Sequence, residues 1–113
     1  MYHINIKIKI CGEDLIFGPG LVELLTFIRN TGSMKEACAM MKMSYSKGWK
    51  IVNRAEQELG FALIERQHGG KRGGSCQITE EGESLLRRYT DMEKQIKQYA
   101  KEQFQLHYPE YCS

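Results

Sequence analysis

The stretch "SMKEACAMMKMSYSKGWKIVNRAEQELG", Ser33 to Gly60, contains two helix starts and one helix stop. Ser33 followed by Glu36 is a capping box, in which each side chain can serve the other residue's backbone N–H. Ala37, Met40 and Met41 form one apolar side, so a short helix is expected to about Met41. Lys42 and Met43 make a tight connection. Ser44 then caps a second helix, which runs to Gly60 at the position past a helix end that favours glycine. Two helices joined by about three residues form a helix-turn-helix. On a wheel, Tyr45, Trp49, Val52, Ala55 and Leu59 fall on one side of the second helix, with Gly48 close by. That side is expected to anchor it on the preceding helices, with Trp49 open between a core residue and an exposed stacking platform and Tyr45 between an anchor and a contact made through its hydroxyl. Ser46, Lys47, Lys50, Asn53, Arg54 and Gln57 fall largely on the other. Gly48 costs about 1 kcal/mol of helix propensity. Close helix packing and close approach to a bound partner both remain open as its reason.

Upstream, Ile4 to Ile10 read INIKIKI, the strict alternation of a half-buried strand. Gly12-Glu13-Asp14 is a turn signal and Leu15-Ile16-Phe17 a short apolar run, so a β-hairpin is expected. Gly18-Pro19 opens a helix whose Leu21, Leu24, Leu25 and Ile28 share a face, and Thr31-Gly32 ends it. Downstream, Phe61 to Gln67 reads as a strand, His68 to Gly74 (HGGKRGG) as a basic, glycine-rich loop, and Ser75 to Thr79 as the returning strand. Thr79 caps a long final helix that begins with Glu80, Glu81 and Glu83, where carboxylates suit the positive helix end. Leu85, Tyr89, Met92, Ile96 and Tyr99 have the four-three spacing of a coiled-coil seam. The pattern fades after Phe104, and Tyr108-Pro109 marks a tail.

The fold class is therefore mainly α with small β: a winged helix-turn-helix with an N-terminal strand or hairpin and a long C-terminal dimerisation helix. The expected boundaries are 1–79 for the winged unit, 80–107 for the long helix and 108–113 for the tail. In such modules the second helix of the pair lies in the DNA major groove, where base edges are distinguishable.

Bulk properties agree. The chain has 113 residues, 42% hydrophobic and 27% charged, with a net charge of +2. That is one ordinary globular domain by length and composition. Residues 33 to 79 carry eight Lys/Arg and four Glu, so this middle part is net +4 while the remainder is net −2. No apolar run approaches a membrane span, and no export signal precedes the strand, so a cytoplasmic location is expected. Cys11, Cys38, Cys76 and Cys112 form no CxxC pair and lie at no metal-ligand spacing to His3, His68 or His107. Reduced structural thiols are expected, with no metal and no cofactor. No nucleophile–base pattern points to an enzyme.

The candidate DNA contacts are Ser33, Lys35, Ser44, Tyr45, Ser46, Lys47, Lys50, Asn53, Arg54, Arg66, Lys71 and Arg72. Arg and Lys can donate to guanine and Asn can pair with adenine. Serine hydroxyls suit phosphate, and a flexible basic wing tip suits the backbone or the minor groove. Lys71 is followed by Arg72 rather than Ser or Thr, which excludes a nucleotide-binding P-loop. Leu85, Tyr89, Met92, Ile96 and Tyr99 are the candidate dimerisation residues.

"RAEQELGFALIER" (Arg54 to Arg66) with "ITEEGESLL" (Ile78 to Leu86) resembles the winged helix-turn-helix of LysR-type transcription factors. The alternating Ile4–Ile10 segment, Gly32-Ser33, Ser44-Tyr45 with Trp49, and the wing Gly69-Gly70-Lys71-Arg72-Gly73-Gly74 resemble more closely the DNA-binding domain of ModE-type, molybdate-responsive regulators. The likeness covers about residues 4 to 100, and the glycine-rich wing is its most specific part. Arg72 stands where that family has glycine. The resemblance implies binding to double-stranded DNA as a homodimer. It does not imply molybdate sensing, because this chain has no room for the C-terminal oxyanion-binding domains; a small-molecule effector stays unknown. Two other readings are a protein-interaction module using the Leu85–Tyr99 seam, and a redox or metal sensor using the cysteines, with Cys76 beside the wing.

Overall fold

Three hydroxyl caps set the helix starts of the motif and of the final helix. In the computed structural model, which describes residues 2–67 and 75–112, the Ser33 hydroxyl accepts from the Glu36 N–H at 3.1 Å. Ser44 accepts from Lys47 at 3.1 Å, and Thr79 from Gly82 at 2.9 Å. The elements in chain order are β1 (Ile10–Cys11), β2 (Leu15–Phe17), α1 (Pro19–Thr31), α2 (Met34–Met40), α3 (Tyr45–Leu59), β3 (Ile64–Gln67), β4 (Ser75–Ile78), α4 (Glu80–His107) and a 3-10 turn at Pro109–Tyr111. Gly32 and Gly60 close α1 and α3 with left-handed φ of 72° and 82°, a conformation glycine adopts without steric cost. Lys42, in the turn between α2 and α3, takes φ 57° without being glycine.

The core is built round α1. Leu24, Leu25 and Ile28 are fully buried, and Met34, Ala37, Cys38, Val52, Ala55, Leu63, Cys76 and Leu86 close on them. β3 and β4 pair antiparallel, Ile64 opposite Ile78 and Arg66 opposite Cys76. The Cys76 N–H donates to the Gly32 carbonyl at 2.9 Å, tying β4 to the end of α1.

The N-terminal strand is shorter than INIKIKI predicts. Only Ile10 and Cys11 pair with β2, and residues 2–9 carry no strand. β2 is three residues long and runs into Pro19 at the start of α1, so the chain provides no ladder for residues 4–9. The alternation instead seats Ile6 and Ile8 half-buried while Asn5, Lys7 and Lys9 stay exposed. This segment lies along α4. The Tyr89 hydroxyl donates to the Ile8 carbonyl at 2.7 Å, and the Tyr2 and Tyr111 rings sit 5.0 Å apart. Burial, and then the Glu93 carboxylate, push the Tyr89 phenol above its usual range, so it keeps the proton it donates.

Gly48 has a packing reason. It is buried, and a Cβ there would overlap the Cys38 sulfur and stand 3.2 Å from the Met34 sulfur. The missing side chain is the space that α2 fills. Burial pushes the Cys38 thiol up, and a hydrogen bond with the Gly48 backbone offsets this in part.

The β-hairpin after α3 is fixed at its base from two sides. The Glu56 carboxylate on α3 accepts from the Leu63 N–H at 2.7 Å and the Ile64 N–H at 3.3 Å. The Thr79 hydroxyl donates to the Ala62 carbonyl at 2.7 Å, and the Thr79 N–H donates to the Leu63 carbonyl at 3.0 Å. A Cβ at Gly82 would fall 2.7 Å from the Leu63 oxygen, so α4 begins in contact with the residue that leads into β3.

Two measurements test this frame. In an uncrowded helix Gly→Ala stabilises, but Gly48→Ala should destabilise by about 1–3 kcal/mol through overpacking; adding Cys38→Ala should recover part of that loss in urea unfolding. Glu56→Ala removes a charged acceptor from two N–H groups and should cost about 1.5–3 kcal/mol, read as a lower midpoint with an unchanged m value.

Candidate nucleic-acid interface

α3 divides cleanly by exposure. Gly48, Val52 and Ala55 are buried against α1 and α2, and Trp49, Ile51, Glu56 and Leu59 are half-buried. Tyr45, Ser46, Lys47, Lys50, Asn53, Arg54, Gln57 and Glu58 are exposed. One expected anchor is corrected: Tyr45 is 54% exposed. The α2 contact centres on Gly48, and Tyr45 stands nearly a turn before it, at the start of α3. Its ring edge meets Trp49 instead, at 6.2 Å between centroids and 82° between planes.

The structure sorts the candidate contacts into three groups. Ser46, Lys47, Lys50 and Asn53 lie on the open face of α3, where the side chains of Lys47 and Lys50 have no ion-pair partner among the described residues. Ser33 and Ser44 use their hydroxyls as helix caps, and Lys35 is exposed in the first turn of α2. Two cations are already engaged. Arg54 lies 3.5 Å from the Asp14 carboxylate in the β1–β2 turn, and the Arg66 guanidinium stands 3.7 Å over the Trp49 ring. Lys71 and Arg72 lie outside the described residues.

The residues that sequence reasoning missed are those that hold this face in place. Glu56 sits mid-helix with no cap signal, and its partners in the chain are only seen once the hairpin folds back. Asp14 was a turn residue and nothing more. The sequence leaves Trp49 open between a core residue and a stacking platform; only the fold shows that its ring meets Arg66 of β3.

α4 is 28 residues long, about 42 Å at the helical rise. It outruns the core. Leu85 and Tyr89 are buried in the chain's own interior. Met92 is half-buried, while Ile96 is 39%, Tyr99 64% and Leu106 70% exposed. Leu106 continues the four-three series beyond the point where it was expected to fade. At the root of this helix an apolar groove of about 650 Å³ is lined by Phe17, Leu59, Phe61, Leu85, Tyr89 and Met92, among others.

Cys38 and Cys76 are buried, Cys112 is half-buried and Cys11 exposed; all four are free thiols. Among the described residues no group of three or more His, Cys, Asp or Glu stands together, and no helix is long and apolar enough to cross a membrane.

Residues 20–83, which run from α1 into the first turn of α4, match the model of the bacterial regulatory helix-turn-helix protein, lysR family. The chain is 33% identical over 88 residues to the DNA-binding transcriptional dual regulator ModE of Escherichia coli K12, covering 78% of this chain and 33% of that protein. It is 34% identical over 91 residues to the transcriptional regulator ModE of Haemophilus influenzae, covering 80% of this chain and 34% of that one. The chain thus spans about a third of the length of these relatives. ArgP from Mycobacterium tuberculosis shares the fold, with a TM-score of 0.57 at 23% identity over 78% of this chain and 31% of that one. With its two capped helices, its hairpin and its long final helix all inside or adjoining the matched region, the chain belongs to the LysR family of bacterial regulatory helix-turn-helix proteins.

Proposed function

We propose that the chain is a sequence-specific, DNA-binding transcriptional regulator that acts as a homodimer on a roughly palindromic operator. The observation that carries this reading is the open face of α3. Ser46, Lys47, Lys50 and Asn53 are presented side by side, without ion-pair partners among the described residues, on a helix whose other side packs Gly48, Val52 and Ala55 into the core. That is the requirement for a helix that enters the major groove. The regulators to which the chain is similar support it.

In this reading residues 1–79 bind DNA, 80–107 dimerise and 108–113 form a tail. Ser33, Lys35, Ser44 and Tyr45 flank the groove on the backbone side. Lys50, Asn53 and Arg54 read base edges, Arg54 after exchanging Asp14 for the DNA. The wing, 68–74, brings Lys71 and Arg72 to the backbone or the minor groove. Met92, Ile96 and Tyr99, extended by Leu106, form the exposed part of the dimer seam, with Leu85 and Tyr89 as its buried root. A two-fold axis through this seam repeats α3 at a spacing of one or more turns of duplex, which is why the operator should be a rough palindrome.

Mobility-shift titration against genomic fragments at two salt concentrations tests the reading. Lys50→Ala should weaken binding to the preferred fragment by about 1–3 kcal/mol and relax its selectivity. Lys71→Ala should weaken all fragments alike and flatten the salt dependence. A chain that retards no fragment at low salt is not a DNA-binding protein. Mass in solution tests the seam: a homodimer is expected, converted to monomer by Ile96→Glu, whereas a monomeric wild-type chain favours a protein-interaction role for α4.

A further inference from the structure

We propose that Trp49 is a platform that presents Arg66 to one phosphate of the DNA backbone beside the groove that α3 enters. The proposal rests on the DNA-binding reading and assigns Trp49 a positioning role within it.

The geometry is specific. The Arg66 Cζ lies 3.7 Å from the centre of the Trp49 ring. The two residues come from different elements, Trp49 from the second turn of α3 and Arg66 from the middle of β3. The ring is itself fixed, half-buried against the core and met by the Tyr45 edge at 6.2 Å. Stacking covers the face of a guanidinium and leaves its rim of N–H donors free. Among the described residues Arg66 has no carboxylate partner and no hydrogen-bond acceptor. A planar fork set over a ring, exposed, and without a carboxylate partner among the described residues fits a phosphate with two parallel N–H···O bonds. Arg54 differs, because it already faces Asp14. Lys47 and Lys50 differ too, since each is a point charge on a flexible stem.

Position adds to this. Arg66 stands next to the start of the wing on a strand whose root is clamped by Glu56. Its guanidinium therefore keeps a fixed place relative to the groove-facing side of α3. A phosphate gripped there sets the register of the recognition helix along the duplex without reading a base.

The test uses the full chain and a duplex of arbitrary sequence, with the binding constant followed against salt. Loss of one phosphate contact lowers the magnitude of the log–log slope by about 0.9, and Arg66→Gln should do this. Trp49→Phe keeps the charge but weakens the stack. It should cost about two- to fivefold in affinity with the wild-type slope, and cost nothing further in the Arg66→Gln background. Arg66→Lys, which leaves Trp49 untouched, should also keep the slope while losing affinity. Trp49 is the chain's one tryptophan, so Arg66→Gln should red-shift its emission in the free protein. Unchanged emission, an unchanged slope for Arg66→Gln, or losses that simply multiply in the double variant would each overturn the proposal and leave DNA binding standing. A wild-type chain that binds no duplex overturns both.

Discussion

Helices α2 and α3 can approach as closely as they do only because one of them has no side chain at the crossing. Gly48 is that place, and the Cys38 sulfur occupies it. The rest of the molecule follows from the crossing. It turns Val52 and Ala55 into the core, which leaves the opposite side of α3 facing outward. The turn between the helices is then so short that Lys42 takes a left-handed conformation, which disfavours any residue with a Cβ. The close crossing therefore outweighs both the helix propensity lost at Gly48 and the strain at Lys42.

The same logic extends to the hairpin and the long helix. Glu56 reaches from α3 to the N–H groups of Leu63 and Ile64 at the root of β3, and Thr79 with Gly82 brings α4 down onto the carbonyls of Ala62 and Leu63. Beside the apolar packing of Leu63, Ile64 and Leu86, these are backbone contacts made by a carboxylate, a hydroxyl and an absent methyl group. They hold by direction rather than by area, so β3 has one defined angle relative to α3. The Trp49–Arg66 stack adds a further link across the same joint.

What was legible in the sequence is what depends on neighbours along the chain. Ser33, Ser44 and Thr79 announce helix starts, Gly32 and Gly60 announce stops, and the spacing of Leu21, Leu24, Leu25 and Ile28 gives the buried face of α1. The open face of α3 could be drawn on a wheel before any fold was known. What stayed hidden depends on residues distant in sequence. Gly48 cannot be explained without Cys38 beside it, Arg54 cannot be seen to meet Asp14, and Tyr45 looks apolar on a wheel that does not record where α2 crosses. INIKIKI carried a true periodicity and a misleading element. Alternation reports which side is covered, and the cover here is a helix rather than a second strand.

That segment has a consequence for how the chain survives its own synthesis. From Ile4 to Ile10 every second residue is isoleucine, a sequence prone in an unfolded chain to stack with copies of itself. Residues 4–9 find no ladder in the fold, so folding does not use up their pairing capacity as a sheet would. Lys7 and Lys9 put charge on the exposed side, in the manner of gatekeepers. The other side is held down by a helix whose Tyr89 grips the Ile8 carbonyl. α4 thus covers an association-prone segment as well as carrying the exposed seam, and loss of the Tyr89 hydroxyl would loosen that cover.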